Sequence, residues 1–122
     1  MTYDLSTNRS WTVSGGSSTY QVVTLTDAAT VTPDTDTTDM GILLSLSQTT
    51  LFANPTGSPT DGKKLILRIK STSAQALTWG SQYRSGTALP NITTGSTKTD
   101  YFNFIYNAAD NKWDFTGSSL NF

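Results

Sequence analysis

Residues 59–79, PTDGKKLILRIKSTSAQALTW, decide the fold class of this chain. Apolar and mostly polar side chains alternate along the middle of the stretch, with Leu65, Leu67 and Ile69 on one side and Lys64, Ile66, Arg68 and Lys70 on the other. A period of two is typical of a half-buried β-strand. The Asp61-Gly62 turn precedes this strand, and a polar link leads to a second short strand at Ala76–Trp79. The short link predicts that the two strands form a hairpin.

Outward from this stretch, further short strands are predicted on both sides. They are Tyr20–Thr26, Ala29–Thr32, Gly41–Ser47 and Thr50–Ala53 before it, a weak strand near Leu89–Ile92, and a second hairpin over Asp100–Phe115 after it. About eight short strands separated by turn residues are typical of a sandwich, a jelly roll or a barrel. We therefore predict an all-β fold, an antiparallel β-sandwich of the jelly-roll type.

Composition supports a single β-rich domain. The chain has 122 residues, 14% of them charged, with 23 Thr, 15 Ser and no Glu. Threonine is β-branched and fits a pleated sheet surface. The longest apolar run is far shorter than the roughly 20 residues that a membrane-spanning helix requires. A net charge of -1 gives no general reason to bind nucleic acid or anionic lipid, so neither is an expected partner.

We predict an N-terminal arm, residues 1–19, and one β-sandwich domain, residues 20–122. The arm is polar except for three apolar anchors, Tyr3, Leu5 and Trp11, and the Gly15-Gly16 pair behind them predicts a flexible joint. A segment that orders on a partner surface has this pattern. The alternative is a frayed terminus or an ordinary first strand of the sandwich.

Catalytic and metal chemistry have little support in the sequence. Histidine and cysteine are both absent, which removes Ser–His and Cys–His nucleophile pairs, thiolate ligands and ordinary zinc sites. The acidic loop Asp34–Asp39 suggests calcium, but the EF-hand pattern fails because Asp39 and Ser45 stand where Gly and Glu are needed. A looser calcium site and a glycosidase-like Asp pair remain alternatives. We expect a protein that is not an enzyme and has no metal and no cofactor.

Surface residues that contact a partner are expected at Leu43, Tyr83 and Arg84. With Ile42, Leu44 and Leu46 on the core side of their strand, Leu43 is predicted to face outward, where an apolar side chain suggests a covered face. Tyr83-Arg84 is predicted to lie in a surface loop. Trp79, Tyr83 and Trp113 could form a carbohydrate platform, although core anchoring of the two tryptophans is the favoured interpretation.

Five sequence blocks, in order, carry a family resemblance. They are TLTDAATVTPD at 24–34, LFANP at 51–55, PTDGKKLILRIK at 59–70, WGSQYR at 79–84 and FIYNAADNKW at 104–113. Together they resemble a β-rich module that recurs in structural proteins of tailed bacteriophages. Phe52 and Ser71 depart from the usual pattern of the module. The resemblance covers roughly residues 20 to 115, and it implies no catalytic residue.

The resemblance implies a virion protein made in the host cytoplasm. Because the chain starts with its own Met and ends soon after the module, it is expected to be a capsid decoration (cement) protein. Such proteins bind the outside of the shell, so the expected location is the outer capsid surface and the expected partner is the major capsid protein. The resemblance also implies a homotrimer. The alternative is a receptor- or glycan-binding module of a tail fibre or baseplate.

Overall fold

The computed structural model describes residues 19–122, which form nine strands without a helix. The predicted arm anchors Tyr3, Leu5 and Trp11 lie outside the described residues. The strands are β1 (Val22–Thr24), β2 (Thr30–Val31), β3 (Met40–Leu46), β4 (Thr50–Phe52), β5 (Lys64–Ser71), β6 (Leu77–Trp79), β7 (Tyr83–Arg84), β8 (Lys98–Asn107) and β9 (Lys112–Ser119). The all-β prediction is confirmed.

The strands lie in two sheets, an arrangement compatible with the predicted β-sandwich. A six-stranded sheet has the order β1-β3-β5-β8-β9-β7, and a three-stranded sheet has the order β2-β4-β6. From β1 to β6 the chain alternates between the sheets, and each circuit adds one strand to each. Residues on successive circuits pair in parallel, as Met40 does with Val22 and with Ile66. This first half therefore winds as a short β-helix, a repeat in which each circuit packs on its neighbour.

The pairing differs from the predicted antiparallel jelly roll. Antiparallel pairing connects β5 to β8 and β8 to β9, whereas the remaining strand pairs are parallel. The predicted hairpin of β5 with β6 is wrong, because β6 crosses to the other sheet and pairs with β4. The predicted hairpin at the C-terminal end is confirmed as β8 and β9.

The core fills the space between the two sheets. Leu65, Leu67 and Ile69 are fully buried on the inner side of β5, as their alternation predicts. Trp79 of β6 stacks on Phe52 of β4 with ring centroids 4.8 Å apart, and it also contacts Phe102 and Phe104 of β8. Trp79 thus joins the parallel half of the molecule to the antiparallel hairpin. Burial of such aromatic rings supplies much of the stability of a small domain.

Leu43 occupies the core, so the prediction that it faces outward is wrong. Its side chain is buried, and the exposed residue is its neighbour Leu44. The physical reason is an irregularity in β3, where the register with β5 shifts between Leu43 and Leu46. A bulge breaks the strict alternation of faces, so Leu43 and Leu46 both turn inward.

Candidate docking face

The outward side of the six-stranded sheet carries an open groove, here called the outer groove. Its volume is about 390 Å³. The groove is lined by residues of β3, β5 and β8 and by the C-terminal end of the chain: Ile42, Leu43, Leu44, Arg68, Lys70, Thr99, Tyr101 and Phe122. It is thus built mainly on the central strands of the sheet, which are held on both sides by neighbouring strands.

Strand register brings apolar and cationic side chains together in the outer groove. Arg68 of β5 pairs with Ile42 on one side and with Tyr101 on the other. The Tyr101 and Phe122 rings meet edge to face with centroids 5.7 Å apart. Leu44 is 63% exposed and Phe122 is 67% exposed. Two large apolar side chains therefore stand in water beside two cations, Arg68 and Lys70.

A buried carboxylate holds the wall of the groove that contains Phe122. Asp100 is fully buried and accepts hydrogen bonds from the Thr94 amide (2.6 Å), the Thr94 hydroxyl (2.6 Å) and the Asn121 amide (3.0 Å). The backbones of Thr99 and Phe122 exchange a further pair of hydrogen bonds, each 3.0 Å long. A buried charge needs such partners to offset its desolvation. Asp100 therefore fixes the segment that places Phe122 against Tyr101.

The positive charges of this face have no acidic partner within residues 19–122. No carboxylate in this range forms an ion pair with Lys64, Arg68 or Lys70. All eight aspartates of the same range instead accept hydrogen bonds from other groups of the chain. They are Asp27, Asp34, Asp36, Asp39, Asp61, Asp100, Asp110 and Asp114.

Tyr83 belongs to the core, so its predicted place in a surface loop is wrong. It lies in β7, is 4% exposed, and packs edge to face on Trp79 and Phe104. Its hydroxyl donates a hydrogen bond to the Ala53 carbonyl at 3.0 Å. Burial raises the pKa of the Tyr83 phenol. A hydroxyl committed to the fold in this way is not available to a partner.

Arg84 is accessible but already paired. Its guanidinium donates to Asp114 at 2.7 Å and to Asp110 at 3.0 Å. The Arg84 hydrogen bond holds the pKa of Asp114 below its ordinary value. We call Arg84, Asp110 and Asp114 the end cluster, because they join β7 to the β8–β9 turn and to β9. The arrangement clamps the edge of the sheet.

The remaining sequence candidates take structural positions. Trp113 is buried, and Trp79 packs against the core and donates from its indole nitrogen to the Pro90 carbonyl, as the core interpretation predicted. In the acidic loop, the Asp34 carboxylate accepts a hydrogen bond from the Asp36 amide, and the Asp36 carboxylate accepts one from the Ser58 amide. Within residues 19–122 no group of three or more acidic side chains is placed to hold a metal ion.

Asp39, at the end of the same loop, pairs with a lysine. The Lys63 ammonium donates to its carboxylate at 2.6 Å, and the Gln21 amide donates to the other oxygen at 2.6 Å. The Lys63 hydrogen bond lowers the pKa of Asp39. Asp39 therefore fastens the start of β1 to the start of β5.

Comparison with known proteins finds no match: no family model, no curated protein and no solved structure is similar to this chain. Across the described part of the chain, no helix has the length and apolar character needed to cross a membrane.

The outer groove was not predicted as a site from the sequence. A signal was present, since Lys64, Arg68 and Lys70 share the outward side of one strand.

Proposed function

We propose that this chain is a structural protein of a bacteriophage virion, a capsid decoration (cement) protein that binds the outside of the assembled shell. The observation that carries the proposal is the outer groove, where exposed apolar side chains and unpaired cations lie on a firmly paired sheet. Aromatic residues and arginine are enriched at protein–protein contacts. The order and spacing of the five sequence blocks support the choice of a virion.

The fold suits a protein that adds stability to a shell by contact alone. A binding surface on paired strands keeps its shape, so docking costs little conformational entropy. At about 25 cal/mol per Å² of apolar surface buried, even a modest contact at each copy accumulates over many copies. Leu44 and Phe122 are the side chains that such a contact would cover.

Self-association as a homotrimer is part of this proposal. The other end of the same outward side presents Ile66 of β5 and Ile105 of β8, both half-buried. A symmetric contact would bury these isoleucines and leave the outer groove open. Light scattering on the purified protein tests this part. A strict monomer in solution, together with no trimeric density on particles, would contradict it.

Quantitative mass spectrometry of purified virus particles tests the function itself. A decoration protein is expected in hundreds of copies per particle, since it repeats over a symmetric shell. A few to a few dozen copies would instead support the alternative, a receptor- or glycan-binding module of a tail fibre or baseplate. Absence from particles would overturn a virion role altogether.

Additional contacts of the N-terminal residues Tyr3, Leu5 and Trp11 with the shell stay a prediction. Deletion of residues 1–14 tests them, with the melting temperature and the particle occupancy measured on the same protein. An unchanged melting temperature with lower occupancy is the expected result. Unchanged occupancy would exclude a docking arm, and a collapsed melting temperature would assign Trp11 to the fold.

A further inference from the structure

We infer that the outer groove binds a segment of a partner protein that presents carboxylates beside apolar side chains. The inference rests on the proposed function, because it states the chemistry of the partner that the groove meets. Three features of the molecule support it: the unpaired cations of the groove, its apolar walls, and the buried carboxylate behind one wall.

Charge is the first observation. Each aspartate of residues 19–122 accepts at least one hydrogen bond within the chain, and Asp39, Asp110 and Asp114 also pair with cations. Arg68 and Lys70 face the same groove and pair with none of them. No aspartate side chain of residues 19–122 therefore neutralises Arg68 or Lys70, and their charge is available to a partner. Complementary potentials at an interface speed association and select the partner.

The walls of the groove are the second observation, and they indicate the class of partner. Thr99 supplies the only neutral polar side chain other than Tyr101 among the lining residues. A sugar needs several hydrogen-bond partners for its hydroxyls, and a nucleic acid needs a longer basic surface to neutralise its phosphates. Leu44 and Phe122 instead offer apolar area, which side chains of a protein segment can cover.

The buried Asp100 is the third observation. A fully buried carboxylate is costly unless it is well hydrogen-bonded, and here its partners are the Thr94 turn and the Asn121 amide. The effect is to hold the Phe122 ring against Tyr101 in advance of binding. A wall fixed in this way lowers the entropy cost of docking.

Titration of the full-length protein into a labelled peptide, with fluorescence anisotropy as the readout, tests the inference. The probe is a labelled peptide of alternating Asp and Leu, and the controls replace Asp by Lys or Leu by Ser. The Asp–Leu peptide is expected to bind most tightly of the three, and its affinity should fall with added salt. Replacing Arg68 and Lys70 together by Gln should reduce its affinity about tenfold, equivalent to about 1.4 kcal/mol.

A matched control variant is Lys64→Gln. It removes a positive charge from the same outward side of β5, but Lys64 does not line the outer groove. This variant is expected to bind the Asp–Leu peptide within about twofold of the wild type, since a distant exposed charge is screened. Circular dichroism melting of each variant identifies any that fail to fold. If the double variant misfolds, Arg68→Gln alone replaces it.

Three results would overturn the inference. The first is that Lys64→Gln loses as much affinity for the Asp–Leu peptide as the double variant of Arg68 and Lys70 does. The second is that the Lys–Leu peptide binds as tightly as the Asp–Leu peptide, and the third is that polygalacturonate, an acidic glycan, binds more tightly than the Asp–Leu peptide. Each of these results leaves the particle copy number as a separate test of the proposed function. Conversely, absence of the protein from particles would overturn the proposed function whatever the peptide result.

Discussion

Two arginines on the six-stranded sheet serve different ends. Arg84, in the end cluster, donates to Asp110 and Asp114 and ties an edge strand to the neighbouring hairpin. Arg68, in the outer groove, lies between Ile42 and Tyr101 and has no ion pair within the described residues. An accessible cation near an aromatic ring is therefore not by itself a binding residue. Whether the fold already uses its charge decides between the two roles.

The largest expected effect comes from the residue next to Arg84. Tyr83→Ala should lower the free energy of unfolding by about 3–5 kcal/mol, because it empties a core position that contacts Trp79 and Phe104. Tyr83→Phe removes only the hydrogen bond to Ala53 and should cost about 1 kcal/mol. Urea denaturation measures both. A Tyr83→Ala protein within about 1 kcal/mol of wild type would contradict the core assignment.

Asp100→Asn is expected to affect both stability and the outer groove. Asparagine offers one acceptor oxygen to the three donors that Asp100 satisfies, so a buried donor is left unpaired, at a cost of about 1–3 kcal/mol. Affinity for the acidic peptide should also fall, since Phe122 loses its support. The control is Asp110→Asn, an exposed site whose change should cost less. Equal stability of the two variants would contradict the anchoring role of Asp100.

The ion pairs of the end cluster should contribute little to the free energy of unfolding. Arg84→Gln is expected to lower the free energy of unfolding only slightly, as is usual for exposed ion pairs, because both the Arg84 and Asp114 side chains are more than a third exposed. Arg68→Gln should leave the free energy of unfolding unchanged. Urea denaturation of the two variants side by side sharpens the comparison. A larger loss for Arg68→Gln would reverse the assigned roles.

The smallest expected effect is the response of stability to pH near neutrality. The pKa values of Asp27, Asp39 and Asp114 lie below the ordinary 3.8, chiefly because Ser47, Lys63 and Arg84, respectively, donate hydrogen bonds to their charged forms. A carboxyl group whose pKa is lowered in the folded state stabilises the fold at pH values above its pKa in the unfolded state. That stability is lost as the pH falls through its pKa in the folded state. Melting temperatures should be flat from about pH 6 to 8 and fall below about pH 4. A steep change between pH 6 and 8 would contradict this.

The β8–β9 hairpin is the part of the strand pairing that the sequence predicted well, whereas the prediction for the equally local β5–β6 pair was wrong. The β8–β9 hairpin joins strands separated only by a short turn, and its alternation of Phe102 and Phe104 with outward residues is visible in the sequence. The parallel circuits were missed because β3 pairs with β5 across an intervening strand of the other sheet. The parallel partner of a strand cannot be read from the residues beside it in the chain.

The candidate site was predicted only in part, for a similar reason. The alternation in β5 placed Arg68 and Lys70 outward, but their lack of acidic partners depends on where the aspartates fold. Leu43 was misplaced because a bulge shifts the strand by an amount that no periodic pattern encodes. Phe122 gave no signal at all, since its position depends on the buried Asp100.

Side-chain footprinting by hydroxyl radicals tests the central claim, that the outer groove is the docking face. The free protein and the particle-bound protein are labelled and compared by mass spectrometry. We expect Leu44, Tyr101 and Phe122 to lose reactivity on particles. Exposed apolar residues elsewhere, Leu51 and Ile92, should keep theirs. Protection of Leu51 and Ile92 with no change at the outer groove would contradict the claim.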